Sequence, residues 1–207
     1  GSPNGLNGPN GLLFGPDGGL YVTTQGSVAA NGQPDFSAGF PSQVLRYDIT
    51  TGVGDVFISQ PEPLFGFISF LGLATGPEDG NLYVSDFANG LRRYDFTTGN
   101  EIGVFDTNYT GSFANTSNRI GSLAFGPDKD LYTVGFDFTL AGNPGTLLKF
   151  DVNSGERTIV AGNQPTLERP IGLVFRPEAS SVPEPFLSTA LLAVGLAGIS
   201  LKRHQAH

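Results

Sequence analysis

Gly11-Leu-Leu-Phe-Gly-Pro-Asp-Gly-Gly-Leu-Tyr-Val22 returns as Gly72-Leu-Ala-Thr-Gly-Pro-Glu-Asp-Gly-Asn-Leu-Tyr-Val84 and again as Ser122-Leu-Ala-Phe-Gly-Pro-Asp-Lys-Asp-Leu-Tyr-Thr133. A fourth copy, Gly172-Leu-Val-Phe-Arg-Pro-Glu178, stops halfway. Gly15, Gly76, Gly126 and Arg176 hold the same place, at intervals of 61, 50 and 50 residues. Each phrase reads as a hairpin. Proline fixes φ near the value the first corner of a turn needs, and Gly or Asp tolerates the positive φ that follows. The flanking Leu-x-Phe and Leu-Tyr-Val segments are then its two strands.

Working outward, every phrase is followed by a second strand pair. Val44 to Asp48 is followed by Asp55 to Ile58, Leu91 to Asp95 by Glu101 to Phe105, and Leu147 to Asp151 by Arg157 to Val160. Thr50-Thr51-Gly52, Thr97-Thr98-Gly99 and Asn153-Ser154-Gly155 supply the turns between them. One four-stranded sheet cannot cover its own two apolar faces, so neighbouring units must stack upon it. A period of this length is that of a propeller blade. The expected fold is therefore all-β: a partial β-propeller over residues 1–178, with sheets at Leu12 to Ile58, Leu71 to Phe105 and Ile120 to Val160 packed face to face. Ile171 to Phe175 reads as the innermost strand of a further blade. Three units and one strand fall short of the four to eight blades that close such a ring. The chain also has no Met, and it reads as part of a longer protein with more blades and a signal peptide upstream.

From Asn10 to about Glu178 the chain resembles propellers built from NHL-type repeats and from gluconolactonase and senescence-marker-like repeats. Their blades read apolar-Gly-Leu-x-Phe-x-Pro-Asp-Gly-x-Leu-Tyr-Val, followed by a Tyr-Asp or Phe-Asp strand. The resemblance concerns the fold more than any activity.

Composition narrows the chemistry. Gly and Pro number 30 and 15 among 207 residues without a collagen period, and 17 Phe and 6 Tyr are spread through the chain. That is the mark of many turns between short apolar strands. There is no Cys, and both histidines, His204 and His207, stand in the last four positions. Thiolate catalysis, cysteine metal sites, a Ser-His-Asp triad and histidine-bound metal are thus excluded from the body of the chain. Net charge is -8, and the residues before Val182 alone carry nine basic against eighteen acidic groups. Nucleic acid is excluded as a partner, because its backbone is held by clustered Lys and Arg. No pattern calls for an organic cofactor.

The tail changes character. Residues 179–185 form a linker ending in Val182-Pro183-Glu184-Pro185; residues 186–201 carry no charge; residues 202–207 open with Lys202-Arg203. The sixteen residues from Phe186 to Leu201 span about 24 Å as a helix, against a hydrocarbon core of about 30 Å. Phe186, Leu191, Leu192, Leu196 and Leu201 supply its apolar surface. Pro185 suits the helix start, and Lys202 and Arg203 can reach headgroups on the cytoplasmic side. A single C-terminal transmembrane helix is the expectation, with a buried helix as the alternative. This tail resembles the PEP-CTERM sorting signal of Gram-negative bacteria. The resemblance implies export, transient anchoring in the inner membrane, and cleavage by an exosortase near Pro183 to Pro185. It also implies a destination on the cell surface or outside the cell, tied to exopolysaccharide.

In the lactonase-like propellers an Asn-Gly at the start of an inner strand supplies a ligand to a metal in the central channel, and Asn10-Gly11 matches that element. Leu71, Gly121 and Ile171 hold the same place in the other repeats and offer no side-chain oxygen, so a turn-forming role for Asn10 is the better reading. Asp17, Asp79 and Asp128 recur at the hairpin corner, as turn chemistry alone predicts. Asp48, Asp95 and Asp151 cap the second turn, and Asp86 reads as structural. Two insertions stand out, Thr24 to Ser42 and Gln60 to Phe70, since long loops on a rigid scaffold are where binding surfaces are placed. Phe67 and Phe70 are expected to seal a blade interface. Phe36, Phe40 and Tyr109 are the candidates for stacking on sugar rings. Three functions remain: an exported binding propeller, a metal-dependent lactonase or lyase-like enzyme, and a matrix protein without a defined ligand. The first and third fit the sequence better than the second.

Overall fold

The computed structural model describes residues 8–26, 41–62, 67–108, 118–137 and 139–176. They are all-β, with twelve strands and no helix among the described residues. Strands β1 (Pro9–Phe14), β2 (Leu20–Thr24), β3 (Val44–Tyr47) and β4 (Gly54–Ile58) form one sheet in sequence order. β5 (Phe70–Thr75), β6 (Leu82–Asp86), β7 (Gly90–Tyr94) and β8 (Glu101–Phe105) form the second, and β9 (Asn118–Phe125), β10 (Leu131–Asp137), β11 (Pro144–Phe150) and β12 (Arg157–Glu168) the third. Every neighbouring pair is antiparallel. Each repeat is therefore one four-stranded blade, as the phrase and its following strand pair predict.

Period-two alternation decides what lies between the blades. Tyr21, Val44 and Ile58 of the first blade meet Phe70, Leu82, Val84, Tyr94 and Phe96 of the second in one buried cluster. Tyr83, Leu91 and Phe105 of the second meet Ile120, Leu123, Leu131, Phe150 and Val152 of the third in another. The blades pack face to face. Each repeat's Leu-Tyr tyrosine sets its ring against an aromatic of the following copy. Tyr21 lies 4.8 Å from Phe96, Tyr83 5.1 Å from Phe125, and Tyr132 5.0 Å from Phe175, all edge to face. Such pairs add about 0.5–1.5 kcal/mol each beyond their burial. The opposite face of the first blade is open among the described residues, with Leu12 66% and Phe14 67% exposed.

Two boundaries differ from the sequence reading. β12 runs to Glu168, well past Val160, because β11 begins at Pro144 and gives it a longer partner. Ile171 to Phe175 is not assigned as a strand, although its place beside the third blade is that of an inner strand. A ladder requires a partner, and among the described residues none pairs with this segment.

Candidate functional site

Because every blade is an up-and-down meander, its first and third turns fall at one end, and its second turn and the link to the next blade at the other. The turn end is a repeated polar device. The carboxylate of Asp79 accepts from the Tyr83 hydroxyl at 2.7 Å, from the Asn81 amide at 2.7 Å and from its backbone N–H at 3.1 Å. Asp128 likewise takes Tyr132 at 2.7 Å and Lys149 at 2.9 Å, and Asp17 takes Arg46 at 2.6 Å with the Tyr21 hydroxyl at 3.3 Å. Burial pulls Asp79 upward, but Tyr83, Asn81 and Arg93 outweigh it and hold the carboxyl below its ordinary range. Burial and the Asp79 charge push Tyr83 up to about 12. At the second turns Asp48, Asp95 and Asp151 each accept two backbone N–H groups, which lower them in the same direction. These six aspartates are structural, as expected of turn positions, and three of them also hold a tyrosine and a basic side chain.

The inner strands converge elsewhere. β1 bulges between Pro9 and Leu12, β5 between Phe70 and Leu73, and the β9–β10 register shifts beside Gly121. A bulge frees ladder groups, and here hydroxyls take them up. Thr23 Oγ1 accepts from Gly11 N–H at 2.7 Å and donates to the Leu71 carbonyl of the next blade at 2.6 Å. Ser85 Oγ accepts from Gly72 N–H at 2.7 Å and donates to the Gly121 carbonyl at 2.6 Å. Val134 holds this place in the third blade, so the staple occurs twice among the described residues. A Cβ on Gly11 would run into the Leu71 carbonyl, which is why the inner strands approach closely only with glycine there.

Around these bulges lies a pocket of about 480 Å³, within the range of ligand sites. It is lined by Asn10, Gln25, Phe87, Ser122 and the backbones of Gly11, Leu71, Gly72, Gly121, Ile171 and Gly172. Asn10 stands in the bulged part of β1 rather than in a turn. It does face the channel, but the only other side-chain oxygens in the lining are those of Gln25 and Ser122, with no carboxylate. That falls short of the roughly six oxygens a hard cation takes. Among the described residues no three His, Cys, Asp or Glu side chains gather at one place.

Gln25 and Phe87, just past the ends of β2 and β6, bring the end opposite the turns to the pocket. Asp86, at the end of β6, is fully buried and holds Arg92 Nε at 3.0 Å. Arg92, 1% exposed, also donates to Glu101 at 2.6 Å and to the Glu62 carbonyl at 3.3 Å, while Asp86 accepts from Ser69 N–H at 3.1 Å. The pair thus ties the Gln60 to Phe70 insertion to the second blade. Burial raises the Asp86 carboxyl, partly offset by Asn89 and Arg92; burial also opposes the Arg92 charge, but Glu101 and Asp86 outweigh it. Beside this pair runs an aromatic row, with Phe67 6.5 Å from Phe87 and Phe87 6.1 Å from Phe136. Arg119 lies 5.9 Å over both Phe67 and Phe87, and Arg169 5.4 Å over Phe136.

No known protein family and no curated protein sequence matches the chain. Solved structures do. A protein in a nidogen/laminin complex aligns at 17% identity with a TM-score of 0.54, over 80% of this chain and 51% of that one. A structural-genomics protein of unknown function from Bacteroides thetaiotaomicron aligns at 17% identity with a TM-score of 0.50, over 76% and 36%. The PQQ-bound aldose sugar dehydrogenase from Streptomyces coelicolor aligns at 25% identity with a TM-score of 0.48, over 81% and 50%. The fold is that of a β-propeller. The chain spans about half the length of the first two of these proteins or less, so the likeness concerns architecture alone.

Of the residues singled out from sequence, the propeller brings Asn10 to its axial pocket and buries Phe70 completely in the first interface. Phe67 instead joins the aromatic row at the loop end, half-buried like Phe87 and beside the buried Phe136. Phe36, Phe40, Tyr109, the motif Val182 to Pro185 and the whole run from Phe186 to Arg203 lie outside the described residues. Among the described residues no helix is long and apolar enough to cross a membrane. Sequence reasoning missed Arg92, Phe87, Arg119 and Arg169. One signal was present for Arg92, which replaces the leucine found at Leu45 and Leu148 in the sister blades.

Proposed function

We propose that this chain is an exported binding or matrix propeller, processed through its C-terminal tail and associated with exopolysaccharide. The order of the tail carries the reading: Val182-Pro183-Glu184-Pro185, an uncharged run to Leu201, then Lys202-Arg203. The basic end resists translocation, which leaves the propeller outside the inner membrane and the motif at its outer face. The body suits a binding role, since a rigid stack of blades presents its longer connections and an axial pocket at one end.

The test is made in a Gram-negative host carrying a matching exosortase. The unmodified chain should lose its tail and appear outside the cell, whereas Glu184→Ala or Pro185→Leu should leave an uncleaved, membrane-bound form. Ser188→Ala, outside the motif, should behave like the unmodified chain. An unmodified chain that keeps its C-terminus and fractionates as a soluble protein would overturn the reading, leaving the tail as a buried helix.

A further inference from the structure

We infer that the loop end of the propeller binds a sugar acid at the mouth of the axial pocket, with Phe67 and Phe87 against its ring and with Arg119 and Arg169, the latter seated over the buried Phe136, at its carboxylate. The inference rests on the binding role above and names its ligand class.

Three observations carry it. First, the row is continuous with the pocket, because Phe87 both lines the cavity and sits between Phe67 and Phe136. A guanidinium stacked on an aromatic face presents its N–H edge sideways, the geometry that meets a carboxylate held flat beside the same ring. Second, Arg169 is placed there by strained backbone. Arg169 and Asn143 both adopt left-handed conformations, with φ of 46° and 45°, and the Arg169 N–H donates to the Asn143 carbonyl at 3.2 Å. Non-glycine residues held this way concentrate at ligand sites. The Arg169 side chain is exposed, 5.4 Å from the Phe136 ring, and no ion pair engages it among the described residues.

Third, the acidic surplus lies at the other end. Nine of the eighteen acidic residues before the tail are in the hairpin turns: Asp17, Asp48, Glu78, Asp79, Asp95, Asp128, Asp130, Asp151 and Glu156. At the loop end Asp86 is paired with Arg92 and Asp106 with Arg157, Asp137 is buried and hydrogen-bonded to Thr139, and Glu62 and Glu168 are exposed among the described residues. At physiological salt, screening over about 8 Å separates the two ends, so an anion near Arg169 feels the charges of the loop end, Arg169, Arg119 and Glu168, rather than the acidic surplus of the turns.

Tetragalacturonate is the probe, titrated calorimetrically into the full chain in detergent. Binding is expected, at least tenfold weaker for the fully methyl-esterified tetramer and about tenfold weaker for Arg169→Gln. Arg119→Gln should weaken it similarly, while Arg46→Gln at the turn end should leave it unchanged. Equal affinity for the ester would overturn the inference while leaving a sugar-binding loop end standing. Absence of binding to both forms would remove the inference and the saccharide role together. Tetraglutamate binding as tightly as the sugar acid would also overturn it, since the ring contact would then contribute nothing.

Discussion

Replacing Ser85 by Ala removes one oxygen and leaves a buried carbonyl, Gly121, and a half-buried N–H, Gly72, without their protein partner. Ser85 is fully buried, and its hydroxyl joins the N–H freed by the β5 bulge, at 2.7 Å, to the Gly121 carbonyl of the next blade, at 2.6 Å. Each unsatisfied buried group costs roughly 1–3 kcal/mol, and the small cavity permits some relaxation, so a loss of about 2–4 kcal/mol is expected. For a domain of this size each kcal/mol lowers Tm by about 2–4 °C, which places the drop at about 4–16 °C. Thr23→Ala should behave alike, since Thr23 makes the same two bonds between the first and second blades. Thr23→Ser, which keeps the hydroxyl, should recover most of the loss. Thr133→Val is the internal control: its hydroxyl donates only to Ser122 O, at 2.9 Å within one blade, and about 1 kcal/mol is expected. Thermal and urea melts read all four. A Ser85→Ala protein within about 0.5 kcal/mol of the parent would refute the argument that hydroxyls staple the inner strands.

Arg92→Leu restores the residue of the sister blades yet strands Asp86 without its cation, and should cost about 3–5 kcal/mol in urea denaturation. Adding Asp86→Thr, the residue at Thr24 in the first blade, should recover most of it; a near-neutral single variant would show that the pair is not buried as described. Gly121→Ala places a methyl 2.5 Å from the Ile171 carbonyl. It should cost about 1–3 kcal/mol and speed hydrogen exchange in residues 171–175, and unchanged exchange there would contradict the close approach. Stability should fall as the pH drops below about 4, because Asp17, Asp48, Asp79, Asp95, Asp128 and Asp151 hold lowered carboxyls whose contribution, complete above the unfolded value, is lost as they protonate. Asp86, shifted the opposite way, binds its proton first and does not reverse the trend; a melting temperature flat from pH 6 to pH 2 would refute this assignment.

The hairpins were legible because turn chemistry is local: Pro16 with Asp17, Pro77 with Glu78 and Asp79, and Pro127 with Asp128 fix each corner whatever the rest of the chain does. The stacking was legible because one sheet cannot bury two apolar faces, and the repeat supplies neighbours. Bulges at Gly11, Gly72 and Gly121 were not, since alternation along a strand looks the same with one extra residue until the pairing is known. The basic partners of the turn aspartates, Arg46, Arg93 and Lys149, recur before each Tyr-Asp or Phe-Asp, a pattern that the turn reading alone had no use for. Phe67, Phe87, Arg119, Phe136 and Arg169 come from five separate connections or strand ends, and only the fold brings them into one row.

The central claim is that successive repeats stack face to face as blades, and aromatic NOEs test it most directly. Tyr21 to Phe96, Tyr83 to Phe125 and Tyr132 to Phe175 join residues far apart in sequence at ring separations of 4.8, 5.1 and 5.0 Å. All three sets of cross-peaks are predicted. Spectra in which each tyrosine sees only aromatics of its own repeat, such as Tyr21 with Phe57 but not Phe96, would contradict the stacked-blade account.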